Sequence, residues 1–181
     1  MDTVRENGFS LEVLSKGITA RKHIIHNANY ISLSHNSEYK LRLTNDNDTR
    51  VDATVWIDNE NVGTWRVKPY RSITIERPVN VSRKFTFLEE NTSSAYESGI
   101  VSGAEENGLI KVIFKPEKKH VSFGLLSVNS TCRNGNHNLN SHSLETNRSQ
   151  SYGMDFSSGG TGLGDYSSQR FSHTSALFDI D

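Results

Sequence analysis

Cysteine, proline and long apolar runs are scarce in this chain, and each scarcity narrows what it can be. Cys132 is the one cysteine in 181 residues. It has no intrachain disulfide partner, whereas small secreted scaffolds carry cysteines in even sets, so the chain leans towards a reducing compartment. No apolar run approaches the ~18 residues that a membrane-crossing helix needs. The opening MDTVRENGFSLEVL also lacks a basic segment followed by an apolar core, so neither a signal peptide nor membrane insertion is expected. Five Asn-x-Ser/Thr sequons, at Asn47, Asn80, Asn91, Asn129 and Asn147, are read as chance in a chain so rich in Asn and Ser. Charge of one sign is missing too: 20 Lys and Arg stand against 21 Asp and Glu, a net charge of -1. That balance gives no electrostatic footprint for nucleic acid or an anionic membrane surface.

Short alternating blocks separated by turn residues are what the chain does have. Phe9, Leu11 and Val13 share one face of a strand, as do Tyr39, Leu41 and Leu43. From Val51 to Ile57, Val51, Ala53, Val55 and Ile57 alternate with Asp52, Thr54, Trp56 and Asp58, which predicts one buried face and one wet face carrying Trp56. Asp58-Asn59-Glu60-Asn61 offers residues that tolerate a left-handed backbone, so it closes a hairpin into Val62–Val67. Further strands are expected at 20–26, 30–33, Ser72–Glu76, Arg83–Leu88 and Leu109–Lys115, with turns set by Pro69 and Pro78. Between Glu89 and Gly108 the alternation lapses, and a single helical turn fits at Ser94–Glu97. Parallel strands would need helical crossovers that this chain does not contain. The expected fold is therefore all-β: an antiparallel β-sandwich over residues 1–126, with a jelly roll as one topology open to it. Residues 127–181, rich in Ser, Asn and Gly, read as a low-complexity tail that could dock back at its C-terminal end.

Sequence motifs for chemistry are weak. Gly159-Gly160-Thr161-Gly162-Leu163-Gly164 lacks the Lys-Ser/Thr and following helix of a phosphate loop, so it reads as a linker or adaptable loop. Seven histidines include His23 and His26, but with one cysteine and no HExxH no metal site or cofactor is expected. Asp52 and Asp58 fall on the polar strand face, where solvated carboxylates are the rule. No Gly-x-Ser-x-Gly elbow is present, so no catalytic residue is assigned. For binding, Trp56 and Trp65 are the candidates, since an aromatic platform on a sheet face stacks a sugar ring or anchors a protein partner. The plainer alternative, core or rim packing, stays open for both because the sequence does not fix strand register. Arg66, Arg71 and Arg77, with Glu76, Arg83 and Lys84, form a charged cluster about two turns. It reads either as a cross-strand ladder or as an anion or subunit contact.

The strings GTWRVKPYRSITIERPVNVSRKFTF, ENGLIKVIFKPE and GGTGLGDYSSQRF resemble an uncharacterised family of β-rich proteins from large DNA viruses and some bacteria. The likeness spans roughly Tyr39 to Phe171. It implies no activity and no ligand role for any residue, but it does imply that the glycine-rich block is an ordered part of the pattern. It also leads one to expect a further closing strand beyond Phe178, absent here, so that an open edge or a partner's strand takes its place. The function expected from all this is a non-enzymatic structural or protein-interaction module. It would self-associate or bind another protein, as a cytoplasmic or virion-associated component. The alternative is a carbohydrate- or other ligand-binding sandwich that uses its exposed tryptophans.

Overall fold

The computed structural model of the protein describes residues 2–117, the backbone of 142–146, and residues 158–174. The boundary expected at 126, Cys132 and the apolar residues after 175 lie outside the described residues. Among the described residues there are thirteen strands and one short helix: β1 (Val4–Glu6), β2 (Phe9–Ser15), β3 (Ile18–Thr19), β4 (Lys22–Ile25), β5 (Ala28–Ile31), β6 (Ser37–Asn45), β7 (Val51–Ile57), β8 (Glu60–Val67), β9 (Arg71–Ile75), β10 (Arg83–Glu89), α1 (Ser93–Glu97), β11 (Ile110–Pro116), β12 (His142–Thr146) and β13 (Gly159–Tyr166). All pairings are antiparallel. A seven-stranded sheet runs β1-β2-β6-β10-β13, with β3 on β2 and β9 on β6; a four-stranded sheet runs β12-β11-β7-β8; β4 and β5 form a separate hairpin. The fold is all-β and sandwich-like.

Local turn chemistry explains much of this order. Asn7-Gly8, Lys16-Gly17, His26-Asn27 and Asp58-Asn59 all take positive φ, the backbone of two-residue hairpins whose twist matches that of the strands they join. Period-two alternation then sorts side chains between faces. Leu11, Leu41 and Leu43 from one sheet meet Val55, Val67 and Val112 from the other, all at 1% exposure or less. Phe9 stacks on Phe114 at 4.5 Å across the sandwich, and Tyr39 stacks on Phe85 at 5.5 Å. Burying each such aliphatic or aromatic side chain is worth about 1.5–3 kcal/mol before chain entropy is set against it.

Strands β9 and β10 lie end to end along one side of β6, β9 against Leu41–Asn45 and β10 against Ser37 and Glu38. Between them the chain leaves the sheet through Pro78 and reaches the opposite layer, where Val79 donates its N–H to the Val62 carbonyl of β8 at 2.9 Å. Pro78 therefore marks a break in one long strand, consistent with its missing N–H.

The glycine-rich run departs from the linker expectation. Gly159–Tyr166 is a strand, paired with β10 from Arg83 to Glu89. Glycine gives it no alternating side chains to read, yet close approach demands glycine: a Cβ at Gly159 would lie 2.3 Å from the Leu88 carbonyl oxygen and 2.5 Å from the Phe87 ring. Beyond β13 the chain stays docked. The Gln169 carboxamide accepts from Glu76 N–H at 3.0 Å and donates to the Thr74 carbonyl at 2.7 Å, standing in for a strand alongside β9.

Candidate functional site

The outer faces of the two sheets differ in character. On the seven-stranded sheet, Glu12 pairs with Arg42, Lys40 with Glu76 and Lys84 with Glu38. This is the cross-strand ladder anticipated around Glu76, with Lys40 as the partner rather than an arginine. On the four-stranded sheet, Trp56 faces outward beside Lys111, its register partner on β11, and Ile113 sits opposite Thr54 one pair further along. Trp56, Asn59, Leu109, Lys111 and Ile113 line an open groove of about 190 Å³. Gly63, at φ 145, shifts the register of β7 against β8 so that Trp56 is paired with Asn61. A Cβ there would meet Val79 at 2.3 Å and Trp65 at 2.7 Å, so the bulge needs glycine. The indole nitrogen of Trp56 is shielded from solvent and has no hydrogen-bond partner among the described residues.

The other predicted binding residues are not part of this groove. Trp65 pairs with inward-facing Ala53 and is 7% exposed; burial removes it as a surface platform. Its ring meets Phe171 edge-on at 5.5 Å. Arg77 is also buried. It lies 4.3 Å over the Phe171 ring and donates to the carbonyls of Gln169, Pro78 and Val79 at 2.8, 2.8 and 3.0 Å. Together Trp65 and Arg77 clamp the segment after β13 to the sandwich. Arg66 donates to Asp52 at 3.0 Å, a cross-strand ion pair, and to Thr174 at 2.9 Å. Arg71 stands exposed at the start of β9. The five residues thus divide into one groove residue, three holding the fold together and one on the open surface.

Two carboxylates depart from the solvated expectation, Asp58 the further of them. Asp58 sits at φ 50 in the β7–β8 turn and is not a solvated side chain. Its Oδ1 accepts from Gly108 N–H at 2.7 Å, its Oδ2 from Thr161 N–H at 2.6 Å, and its own N–H donates to the Leu109 carbonyl at 2.9 Å. Burial is the largest influence on its acidity and pushes its pKa up to about 6, against those two N–H bonds; Glu60 and Glu106 add a smaller upward push. Thr161 also shares a 2.6 Å hydrogen bond with the buried Tyr39 hydroxyl, which burial holds in its protonated form. Asp52 departs from the same expectation through its pairing with Arg66. No local sequence signal marks Asp58, because its partners are 50 and 103 residues away.

Among the described residues no group of three or more His, Cys, Asp or Glu is placed to hold a metal ion, and no helix is long and apolar enough to cross a membrane. No family model, curated protein or solved structure matches the chain.

Proposed function

We propose that this protein is a non-enzymatic structural module that associates with a second copy of itself through the outer face of the four-stranded sheet, centred on Trp56. The observation that carries the reading is the groove in which Trp56 stands beside Leu109 and Ile113. A half-buried, outward-facing indole next to an aliphatic hollow is self-complementary: about a two-fold axis, each copy's tryptophan can cover the other's Leu109 and Ile113, as an isologous contact requires. Aromatic anchors of this kind dominate the energetics of interfaces. On the other sheet the outer face carries the ion pairs Glu12–Arg42, Lys40–Glu76 and Lys84–Glu38. A net charge of -1 puts little repulsion between copies. The test is solution mass by light scattering across a concentration series, for the native chain and for Trp56→Glu. A mass rising from 20.3 kDa towards twice that value in the native chain alone supports the proposal, and a native chain that stays monomeric throughout removes it.

A glycan is the second reading, favoured by Asn59 and Lys111 at the rim of the same groove. With Leu109 and Ile113 as its other walls, the groove supplies few partners for sugar hydroxyls, and its volume fits about one ring. Titrating a glycan panel against Trp65→Phe, which leaves Trp56 as the reporter, separates the two: saturable quenching favours sugar, and flat emission leaves the protein contact.

A further inference from the structure

We infer that Asp58 is a proton-operated latch that fastens the glycine-rich strand β13 to the β7–β8 hairpin and to the loop before β11. The geometry is that of a junction. One carboxylate takes a backbone N–H from each of two separate segments, at 2.6 Å from Thr161 and 2.7 Å from Gly108, while its own amide is tied to Leu109 at 2.9 Å. In the β13–β10 ladder, the pair Glu90 N–H to Ser158 C=O points inward, so by alternation the Thr161 N–H points away from β10 and Asp58 caps it. Two glycines make room for this: a Cβ on Gly160 would stand 3.0 Å from Oδ2 of Asp58, and a Cβ on Gly108 would stand 2.7 Å from the Gly159 carbonyl.

The sign of the response follows from what surrounds the carboxylate. The charged groups acting on it are Glu60 on β8 and Glu106 in the loop before β11, both acidic, while β6 contributes the neutral Tyr39 hydroxyl through Thr161 and β13 meets it through the neutral Thr161 N–H. Closed, the carboxyl titrates near 6 rather than at its ordinary 3.8; opened to water, it returns to the ordinary value. Opening is therefore favoured where Asp58 is ionised, and the latch tightens as pH falls through 6, fully below 3.8. Between about pH 7.5 and about pH 4.5 this one group makes the closed state about 25-fold more favoured.

The experiment is amide hydrogen exchange on the full chain by NMR, with rates at Thr161 and Gly108 corrected for the intrinsic pH dependence of exchange. The native protein is expected to show a rise in protection of about 25-fold over that interval, and Asp58→Asn, which carries no titrating proton, to show none. A second measurement, the carboxyl-carbon chemical shift of Asp58 against pH in the native chain, decides the question even if the variant fails to fold. A midpoint near 6 supports the latch. A midpoint near 4, protection that does not change with pH, or an equal rise in Asp58→Asn each overturns it. The Asp58 latch is independent of what occupies the Trp56 groove.

Discussion

Replacing Gly159 with alanine tests whether the glycine-rich run is part of the fold. In a linker, Gly→Ala would be neutral or slightly stabilising, because it only restricts the unfolded chain. In β13 the new methyl has nowhere to go: the Leu88 carbonyl oxygen is 2.3 Å away and the Phe87 ring 2.5 Å away, and the first of these is backbone that cannot rotate aside. Relieving such contacts means moving β13 off β10 by about 1 Å, and overpacking of this kind costs about 1–3 kcal/mol. Loss of ladder hydrogen bonds to the β10 edge takes the expected penalty to the upper end, about 3 kcal/mol. Gly103→Ala is the control. It has open space around it but φ 79, so left-handed strain alone should cost about 1–2 kcal/mol. Urea unfolding at constant slope reads both, and about 3 kcal/mol in a chain of this size corresponds to a thermal midpoint lower by roughly 6–12 °C. A Gly159→Ala protein within about 0.5 kcal/mol of the native chain would refute the reasoning.

Two further perturbations address the clamp and the outer ladder. Arg77→Lys keeps the charge but loses the fork that reaches three carbonyls and lies over Phe171; about 2 kcal/mol of stability should go, with Trp65 emission shifting red as Phe171 lifts away. Unchanged emission would show that the segment stays docked without the arginine. Glu76 accepts from Lys40 at 2.8 Å and Ser167 at 2.6 Å, and these two bonds, Lys40 first, hold its pKa below the usual 4.5. Its contribution is present above that value and lost as pH falls through the lower folded value, the opposite sign to Asp58. Glu76→Gln should therefore be destabilised in urea at about pH 7 and close to native at about pH 3; an equal deficit at both would contradict the assignment.

The alternating strands were readable because each carries its own face assignment. Val51 to Ile57 declares which side is buried, and Trp56 falls outward by parity alone, as it does in the fold. Asp58-Asn59 likewise declares its hairpin through residues that accept a positive φ. What stayed hidden depends on chain brought from elsewhere. β13 has almost no side chains to alternate, and its fitness as a strand lies in the space that Leu88, Phe87 and Thr86 leave for it. The inward side taken by Trp65 could not be fixed without the register shift at Gly63. Gln169 serves as a strand partner through its side chain, a role that no propensity encodes. The burial of Asp58 is likewise created by Gly108 and Thr161, which nothing in the turn itself foretells.

The central claim is that the Trp56 face joins two copies, and solution mass tests it most directly. Light scattering over a concentration series should show the native chain moving from 20.3 kDa towards a dimer. Trp56→Glu should remain monomeric, while Arg71→Glu, on the other sheet, should dimerise as the native chain does. A dimer indifferent to Trp56→Glu, or a native monomer at every concentration, would contradict the account.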